Sequence, residues 1–217
     1  MNIVRPQIPK ELTRIADLSC YARRFRLEEL PIVAVASREA RIQDAEFGKM
    51  DIRKSIFEDS IFHHCNFEKA SFVDVLFHDC DLSNSKFSGA YFERCKFISC
   101  KCIGIDMSDT VIKQTIFEQS NLQYANFNKT KLTDVSFEHV DFTESSMAEA
   151  TLKRFSATDS QFVRNNFFKT LLATVDFSNN ELVAPLVSTP PVELKGATVD
   201  MFQAADLISL WGIIVKR

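Results

Sequence analysis

Six cysteines and four histidines are the side chains best suited to chemistry in this chain of 217 residues. Four of the cysteines, Cys65, Cys80, Cys95 and Cys100, are separated by multiples of five residues, and Cys102 stands two residues after Cys100. Thiols that converge with histidines form zinc sites, and His63 and His64 directly precede Cys65. Whether these groups can meet depends on how the surrounding chain is wound, because neighbours in sequence can point in opposite directions.

Two adjacent pairs, His78-Asp79 and Glu138-His139, have the residue types of a general acid and base. Catalysis also needs a concave site, whereas the winding derived below places both pairs on outward, convex surfaces. The five glycines are scattered, so the sequence has no glycine-rich phosphate loop. We therefore predict a protein that is not an enzyme and binds no cofactor or metal.

A repeat of five residues organises the chain. Ser55 to Phe77 reads SIFEDSIFHHCNFEKASFVDVLF, with phenylalanine at every fifth position. From Ile42 to Leu182 this register holds through 29 central positions, of which 16 are Phe and 6 are Leu. Two residues before each centre stands Ala, Ser, Cys, Thr or Val in 24 of the 29 cases. An interval of five fits neither helix nor strand, and it indicates a solenoid.

The geometry of one unit follows from the extended chain. Residues two apart point the same way, so the small and the central residue face inward while the polar residues turn a corner. The cysteines then fill core space, and His63 and His64 point outward. In one unit the usual order is reversed: Phe155 stands at the small position and Ala157 at the central one. Such an exchange of a large and a small side chain preserves core volume.

Units such as Ala70-Ser71-Phe72-Val73-Asp74 and Ala125-Asn126-Phe127-Asn128-Lys129 resemble the pentapeptide-repeat pattern A(D/N)LXX. The resemblance covers residues 40–184 and implies an all-β solenoid, a right-handed quadrilateral β-helix with four units in each coil. Coils stack about 4.8 Å apart, which gives a rod roughly 34 Å long. Cys80 and Cys100, one coil apart, would be within disulfide reach, although a reducing cytoplasm opposes that bond.

Beyond Leu182 the register fails at a group of prolines, which cannot donate to a strand ladder. It resumes shifted by two residues, and the side chains expected to face inward there are Val192, Leu194, Ala197 and Val199.

The C-terminal segment, DMFQAADLISLWGIIV from Asp200 to Val215, predicts a helix, a stop at Gly212 and a short strand over residues 213–215. It is similar to the D-x-(F/Y)-Q-A-x-x-L…G-I-x-V segment of Qnr-type fluoroquinolone-resistance proteins, which joins two solenoids tail to tail. The similarity implies a homodimer through this dimerisation helix. The expected interface residues are Phe202, Ala205, Ile208, Trp211, Ile213 and Val215.

At the other end, Pro9 to Phe25 has apolar residues at helical spacing after a start signal at Pro9. Four arginines make this predicted capping helix basic: Arg14, Arg23, Arg24 and Arg26. We therefore divide the chain into a helical cap (residues 1–39), a β-helix (40–184) and a C-terminal segment (185–217). The cap departs from relatives whose repeats start almost at the first residue, and the unbroken register departs from Qnr proteins that carry projecting loops.

If four units make a coil, units that are four apart in sequence lie on the same wall of the rod. Each outward charged residue can then be assigned to one of the four walls. The wall centred on Phe57, Phe77 and Phe97 carries seven acids and one base, Lys96, and we name it the acidic wall. Its acids are Glu58, Asp59, Asp79, Glu118, Glu138, Asp159 and Asp176. The wall centred on Ile52 carries seven bases against four acids, and we name it the basic wall.

Two interpretations of the acidic wall remain open. It is a solvated face that keeps the rod soluble, or it mimics the phosphates of duplex DNA and attracts a protein with a positive DNA-binding saddle. The Qnr resemblance implies that this partner is DNA gyrase, with topoisomerase IV second, and that binding protects it from fluoroquinolones. The alternative function is a general protein–protein interaction scaffold without topoisomerase activity.

The sequence also bears on location. No run approaches the ~18 apolar residues of a membrane span, and the first 30 residues contain no signal-peptide core. We therefore expect a cytoplasmic protein that binds no membrane and no nucleic acid directly.

Overall fold

The structure, a computed structural model, describes residues 3–215. Its strands and α-helices are, in chain order, β1 (Thr13–Ile15), α1 (Leu18–Leu27), β2 (Ile32–Val33), β3 (Val35–Arg38), β4 (Arg41–Gln43), β5 (Asp51–Glu58), β6 (Ile61–His63), β7 (Ser71–His78), β8 (Tyr91–Glu93), β9 (Lys96–Ile98), β10 (Val111–Glu118), β11 (Lys131–Glu138), β12 (Thr151–Thr158), β13 (Gln161–Val163), β14 (Glu181–Val183) and α2 (Met201–Leu207). Two 3-10 turns lie at Val192–Leu194 and Ile208–Trp211. Within residues 3–215, neither helix is long and apolar enough to cross a membrane.

The strands pair in parallel with residues twenty positions further along the chain. Phe57 pairs with Phe77, and Phe117 pairs with Phe137. Outside the strands, single bridges keep the same spacing, as between Asp106 and Asn126. The predicted β-solenoid is therefore confirmed, with about eight turns and two short helices.

The corner of each unit explains the interval of five. From Glu29 to Thr174 every fifth residue has a positive φ, and glycine occupies only two of these positions, Gly89 and Gly104. A single left-handed residue turns the chain sharply, and its N–H then bonds to the next coil, as from Asp79 N to Ile98 O at 3.0 Å. Each unit of five therefore consists of two inward residues, the outward residue between them, and two residues that turn the corner.

Stacked phenylalanines form the core. The rings of Phe72 and Phe92 are parallel with centroids 4.8 Å apart, and those of Phe97 and Phe117 are 4.6 Å apart. The small inward residues also bond to the backbone: Ser85 Oγ donates to Phe62 O at 2.5 Å. Small size and this donation together explain why Ser, Thr and Cys recur there, since a buried carbonyl needs a donor.

The N-terminal region differs from the predicted cap. The helix begins at Leu18, because Asp17 Oδ1 accepts from Cys20 N at 2.9 Å and caps it. Thr13–Ile15 forms a strand instead of helix, since it pairs with β3. Strand pairing therefore extends N-terminal of residue 40. Helix α1 still covers the open end, with Leu18 and Ala22 buried; the side chain of Arg26 lies outside the described part.

The predicted two-residue shift near the C-terminus is present. Asn166 still bridges to Leu186, but Asp176 bridges to Thr198. The prediction that Val192 faces inward is wrong: it lies in a 3-10 turn and is 52% exposed, whereas Glu193 is fully buried. Leu194, Ala197 and Val199, which were also expected inward, pack against the core.

Candidate interaction surfaces

The acidic wall brings two predicted residues into direct register. Glu118 pairs with Glu138 on adjacent strands, and both side chains are half-buried. Like charges in that position repel. Glu138 also accepts a hydrogen bond from Ser136 Oγ at 2.9 Å, which holds its carboxylate on the outer surface of the wall.

Ion pairs reduce the negative charge elsewhere on this wall. Lys96 Nζ lies 2.6 Å from Glu118 Oε2, and Arg38 Nε lies 2.9 Å from Asp59 Oδ2. The sequence prediction counted Lys96 as the only base because it assigned Arg38 to a helical cap. Arg38 is instead on β3, which pairs with β5 and extends the wall by one coil.

The remaining predicted acids lie along the edges of the wall. His78 Nε2 is 3.3 Å from Asp79 Oδ2, and His139 Nδ1 is 3.9 Å from Asp159 Oδ2, with all four side chains substantially exposed. Asp176 accepts from Ser178, whose side chain and N–H lower the pKa of the Asp176 carboxyl. Glu58 pairs in register with His78. The structure thus places these acids on one side of the rod.

Arginine–aspartate pairs at its corners reduce the positive charge of the basic wall. Arg94 Nε and Nη2 bond to the two carboxylate oxygens of Asp74 at 2.7 and 2.9 Å. Arg154 makes a similar two-pronged pair with Asp134, and this pairing lowers the pKa of the Asp134 carboxyl. Burial raises the pKa of the Asp74 carboxyl, but the hydrogen bonds from Arg94 and from Gln7 N, together with the charges of Arg94 and Lys54, lower it below its ordinary value. These charges are therefore already paired within the rod.

The C-terminal helix is fixed to the last coil by the residues of its predicted motif. Asp200 accepts from Phe202 N and Gln203 N, and the Gln203 side chain accepts from Asp200 N, which completes a capping box. Gln203 Nε2 also donates to Phe177 O at 3.0 Å and to Asn180 O at 2.6 Å. The aspartate and glutamine therefore dock this helix onto the rod, a role that the sequence pattern did not show.

This docking leaves apolar side chains uncovered at the end of the rod. A shallow groove is lined by Phe202, Ala205, Asp206, Ser209, Ile213, Ile214 and Val215. Gly212 has φ of 73° and ends the turn that follows α2, as predicted. The short strand predicted over residues 213–215 does not form in the single chain. Of the expected interface residues, only Ile208 is half-buried; the other five are exposed.

The five core cysteines are buried, and none of them is part of a disulfide. Cys65, Cys80, Cys95, Cys100 and Cys102 are free thiols, as is the exposed Cys20. Burial raises the pKa of the Cys95 thiol to about 12, and Cys100 Sγ donates to Phe77 O at 3.5 Å. Within residues 3–215, no three His, Cys, Asp or Glu side chains are grouped closely enough to hold a metal ion.

An apolar column on the acidic wall was missed by the sequence analysis. Ile56 and Leu76 pair in register at an outward position, Lys96 follows in the next coil, and Ile116 occupies the same position in the coil after that. Outward positions are otherwise mostly polar, so three apolar residues in one column are the signal that could have revealed a covered surface.

Comparison with known proteins supports the repeat assignment. Residues 70–137 match the family model described as a pentapeptide repeat region. No match was found among the curated proteins.

Among solved structures, a trypsin-treated variant of QnrB1, a plasmid-mediated fluoroquinolone resistance protein, aligns with a TM-score of 0.67 and 22% identity, over 84% of this chain and 92% of that chain. A second trypsin-treated QnrB1 variant aligns with a TM-score of 0.61 and 20% identity, over 84% and 90% of the two chains. Full-length QnrB1 aligns with a TM-score of 0.50 and 17% identity, over 82% and 100%. The chain therefore shares its β-helix fold with QnrB1, and residues 70–137 carry the pentapeptide-repeat pattern.

Proposed function

We propose that this protein is a non-enzymatic, homodimeric DNA mimic that binds DNA gyrase, with topoisomerase IV as a second target, in the cytoplasm. Its effect would be protection of the enzyme from fluoroquinolones. The observation that carries this proposal is the fold shared with QnrB1, named as a fluoroquinolone resistance protein, over 84% of the chain. The motif at the C-terminal end, described above, adds to it.

Dimerisation rests on the exposed C-terminal surface. Phe202 is 76% exposed, and Trp211, Ile213 and Val215 are each about half exposed. An exposed apolar patch of this kind is costly in water and is typical of a protein–protein contact. A second copy of the chain covers the patch tail to tail and doubles the length of the rod.

The acidic wall would supply the attraction to a DNA-binding surface. Its carboxylates follow the rod axis at the spacing of the coils, so a doubled rod presents an elongated row of negative charge. A positively charged saddle that accepts DNA is attracted by the same field. Glu138 and Asp159 are the best candidates for this contact, since Glu138 forms no ion pair with any residue of the described range 3–215 and Asp159 is exposed.

A general interaction scaffold is the second candidate. It is favoured by the internal ion pairs of the acidic wall, because the Lys96–Glu118 and Arg38–Asp59 pairs remove charge that a DNA mimic would use. Flat walls with mixed charge would suit a protein partner that does not bind DNA.

A gyrase supercoiling assay with and without ciprofloxacin separates the two functions. The proposal expects the purified protein at a few molar equivalents to change supercoiling or to restore it in the presence of the drug. No effect under either condition, from a protein that remains folded, favours the scaffold. Topoisomerase IV decatenation assayed in parallel measures the preference between the two enzymes.

A further inference from the structure

The N-terminal residues lie along the rod instead of following its coils. Val4 N donates to Gln114 Oε1 at 2.7 Å, and Gln7 N donates to Asp74 Oδ1 at 3.0 Å. Asp74 and Gln114 are corner residues separated by two coils, at the edge where the acidic wall begins. We name residues 3–10 the N-terminal strap, because they cross from one coil to another.

The strap lies beside the column of apolar side chains on the acidic wall. Its two anchors, Asp74 and Gln114, lie on β7 and β10, two residues before Leu76 and Ile116 respectively. Ile116 is only 9% exposed although its position points outward. Lower on the wall, Lys10 lines a shallow groove together with Ile56 and Glu58. The strap therefore runs beside this column from the coil of Gln114 to the coil of Ile56.

The sequence of the strap, IVRPQIPK, suits that surface. Ile3, Pro6 and Ile8 are half-buried, while Arg5 is exposed. Proline has no N–H to donate to a ladder, so the strap is held through side chains of the rod and does not join the sheet. Its two cations, Arg5 and Lys10, oppose a wall whose net charge is negative.

We propose that the column formed by Ile56, Leu76, Lys96 and Ile116, with Glu58 and Glu118 beside it, is a binding site for an extended peptide. Glu118 neutralises the one cation of this column through its ion pair with Lys96. The ligand is a segment of a partner protein in which apolar residues alternate with arginine or lysine. The N-terminal strap is the resident occupant, and the partner segment displaces it. This site goes beyond the proposed topoisomerase contact and does not depend on it.

The way the strap is attached makes exchange feasible. Within residues 3–10, its backbone donates two hydrogen bonds to the rod, and strand pairing begins only at Thr13. Segments with few bonds and exposed backbone open at low free energy. An occupant of this kind lowers the apparent affinity of a competitor by the fraction of time for which the site is free.

A labelled peptide with the sequence of residues 3–10 provides the probe, measured by fluorescence anisotropy with full-length chains. The strap variant carries Ile3→Asp and Ile8→Asp, which should release the strap and leave the column intact. The control carries Leu27→Asp and Leu30→Asp, which add the same charge at exposed positions outside the strap. We expect the strap variant to bind the peptide about tenfold more tightly than the wild type or the control.

Two further measurements examine the site itself. Adding Ile116→Asp to the strap variant should abolish peptide binding, and a peptide in which both cations are glutamate should bind more weakly. In the unmodified chain, excess peptide should accelerate hydrogen exchange at the Val4 and Gln7 amides. Equal binding by wild type and strap variant, no binding by the strap variant, or unchanged exchange at both amides would each overturn the proposal.

Discussion

The ring of Phe155 packs edge-on against Phe137, with centroids 5.1 Å apart, from the position normally held by a small residue. The central residue that pairs in register with Phe137 is Ala157. Phe155 and Ala157 are both buried. The large and small side chains of this unit have therefore exchanged places, and the core is filled from the adjacent inward position.

This exchange predicts strong energetic coupling between positions 155 and 157. Phe155→Ala alone should destabilise the protein by about 3–5 kcal/mol, because it leaves a cavity next to Phe137. Ala157→Phe alone should cost about 1–3 kcal/mol through overpacking. The double variant restores the usual order of small and large residues, and its free energy of unfolding should return to within about 1 kcal/mol of wild type.

Urea unfolding of the four proteins measures this coupling. If the cost of the double variant equals the sum of the two single costs, the two positions do not compensate each other. Thr158→Ala, at an exposed position on the same strand, provides a neutral control.

The buried carboxylate of Glu193 predicts a pH-dependent stability. Its Oε1 accepts from Lys169 N at 2.8 Å and from Ser188 Oγ at 2.6 Å, and its Oε2 accepts from Ser188 N at 3.0 Å. Burial would raise the pKa of Glu193, but these hydrogen bonds outweigh burial and hold it below the ordinary value. Its contribution to stability is therefore complete above the unfolded pKa of about 4.3 and is lost as pH falls through the lower folded pKa.

Glu193→Gln should lower the free energy of unfolding by about 1–3 kcal/mol at pH 7, because an amide replaces one acceptor oxygen with a donor. The difference from wild type should shrink as the pH falls below about 4, where the wild-type carboxyl becomes protonated. Thermal unfolding between pH 7 and pH 3 tests this. Glu181→Gln, at an exposed position on β14, should show little effect at any pH; a difference for Glu193→Gln that stays constant with pH would refute the assignment.

The repeat region could be predicted from sequence because each unit encodes its own geometry. Phe57 and Phe77 specify the same wall, and a left-handed corner follows each centre. The N-terminal region could not be predicted in the same way. Thr13–Ile15 has helical spacing, but pairing with β3 supplies hydrogen bonds that override this local preference.

The surfaces were predicted less completely than the core, since they depend on residues distant in sequence. Arg38 meets Asp59 only because β3 extends the wall, and Val4 meets Gln114 across 110 positions of sequence. At the C-terminal end, the register shift was predicted correctly, but the buried side chain there is that of Glu193 and not that of Val192. A buried glutamate is rare, and it is stable here because Ser188 and Lys169 supply donors.

The exposed C-terminal groove predicts that dimerisation is sensitive to Phe202. Phe202→Asp should convert the proposed dimer to a monomer, since it places a charge in an apolar contact. Met201→Asp is a matched control, because Met201 is 74% exposed but does not line the groove. Light scattering coupled to size-exclusion chromatography gives the mass directly. Dimers of unchanged strength for Phe202→Asp, or monomeric wild-type protein, would exclude this groove as the interface.

Charge reversal on the acidic wall tests the proposed contact with gyrase. Glu138→Lys should weaken gyrase binding more than Glu118→Lys, because Glu118 is already paired with Lys96 at 2.6 Å. Attraction between charged surfaces falls with ionic strength, so the wild-type affinity should decrease steeply with salt and that of Glu138→Lys less steeply. Glu149→Lys makes the same charge change on an exposed corner away from this wall and should leave binding near wild type. Surface plasmon resonance with immobilised gyrase measures all four proteins; equal losses for Glu138→Lys and Glu149→Lys would indicate that net charge, and not this wall, governs binding.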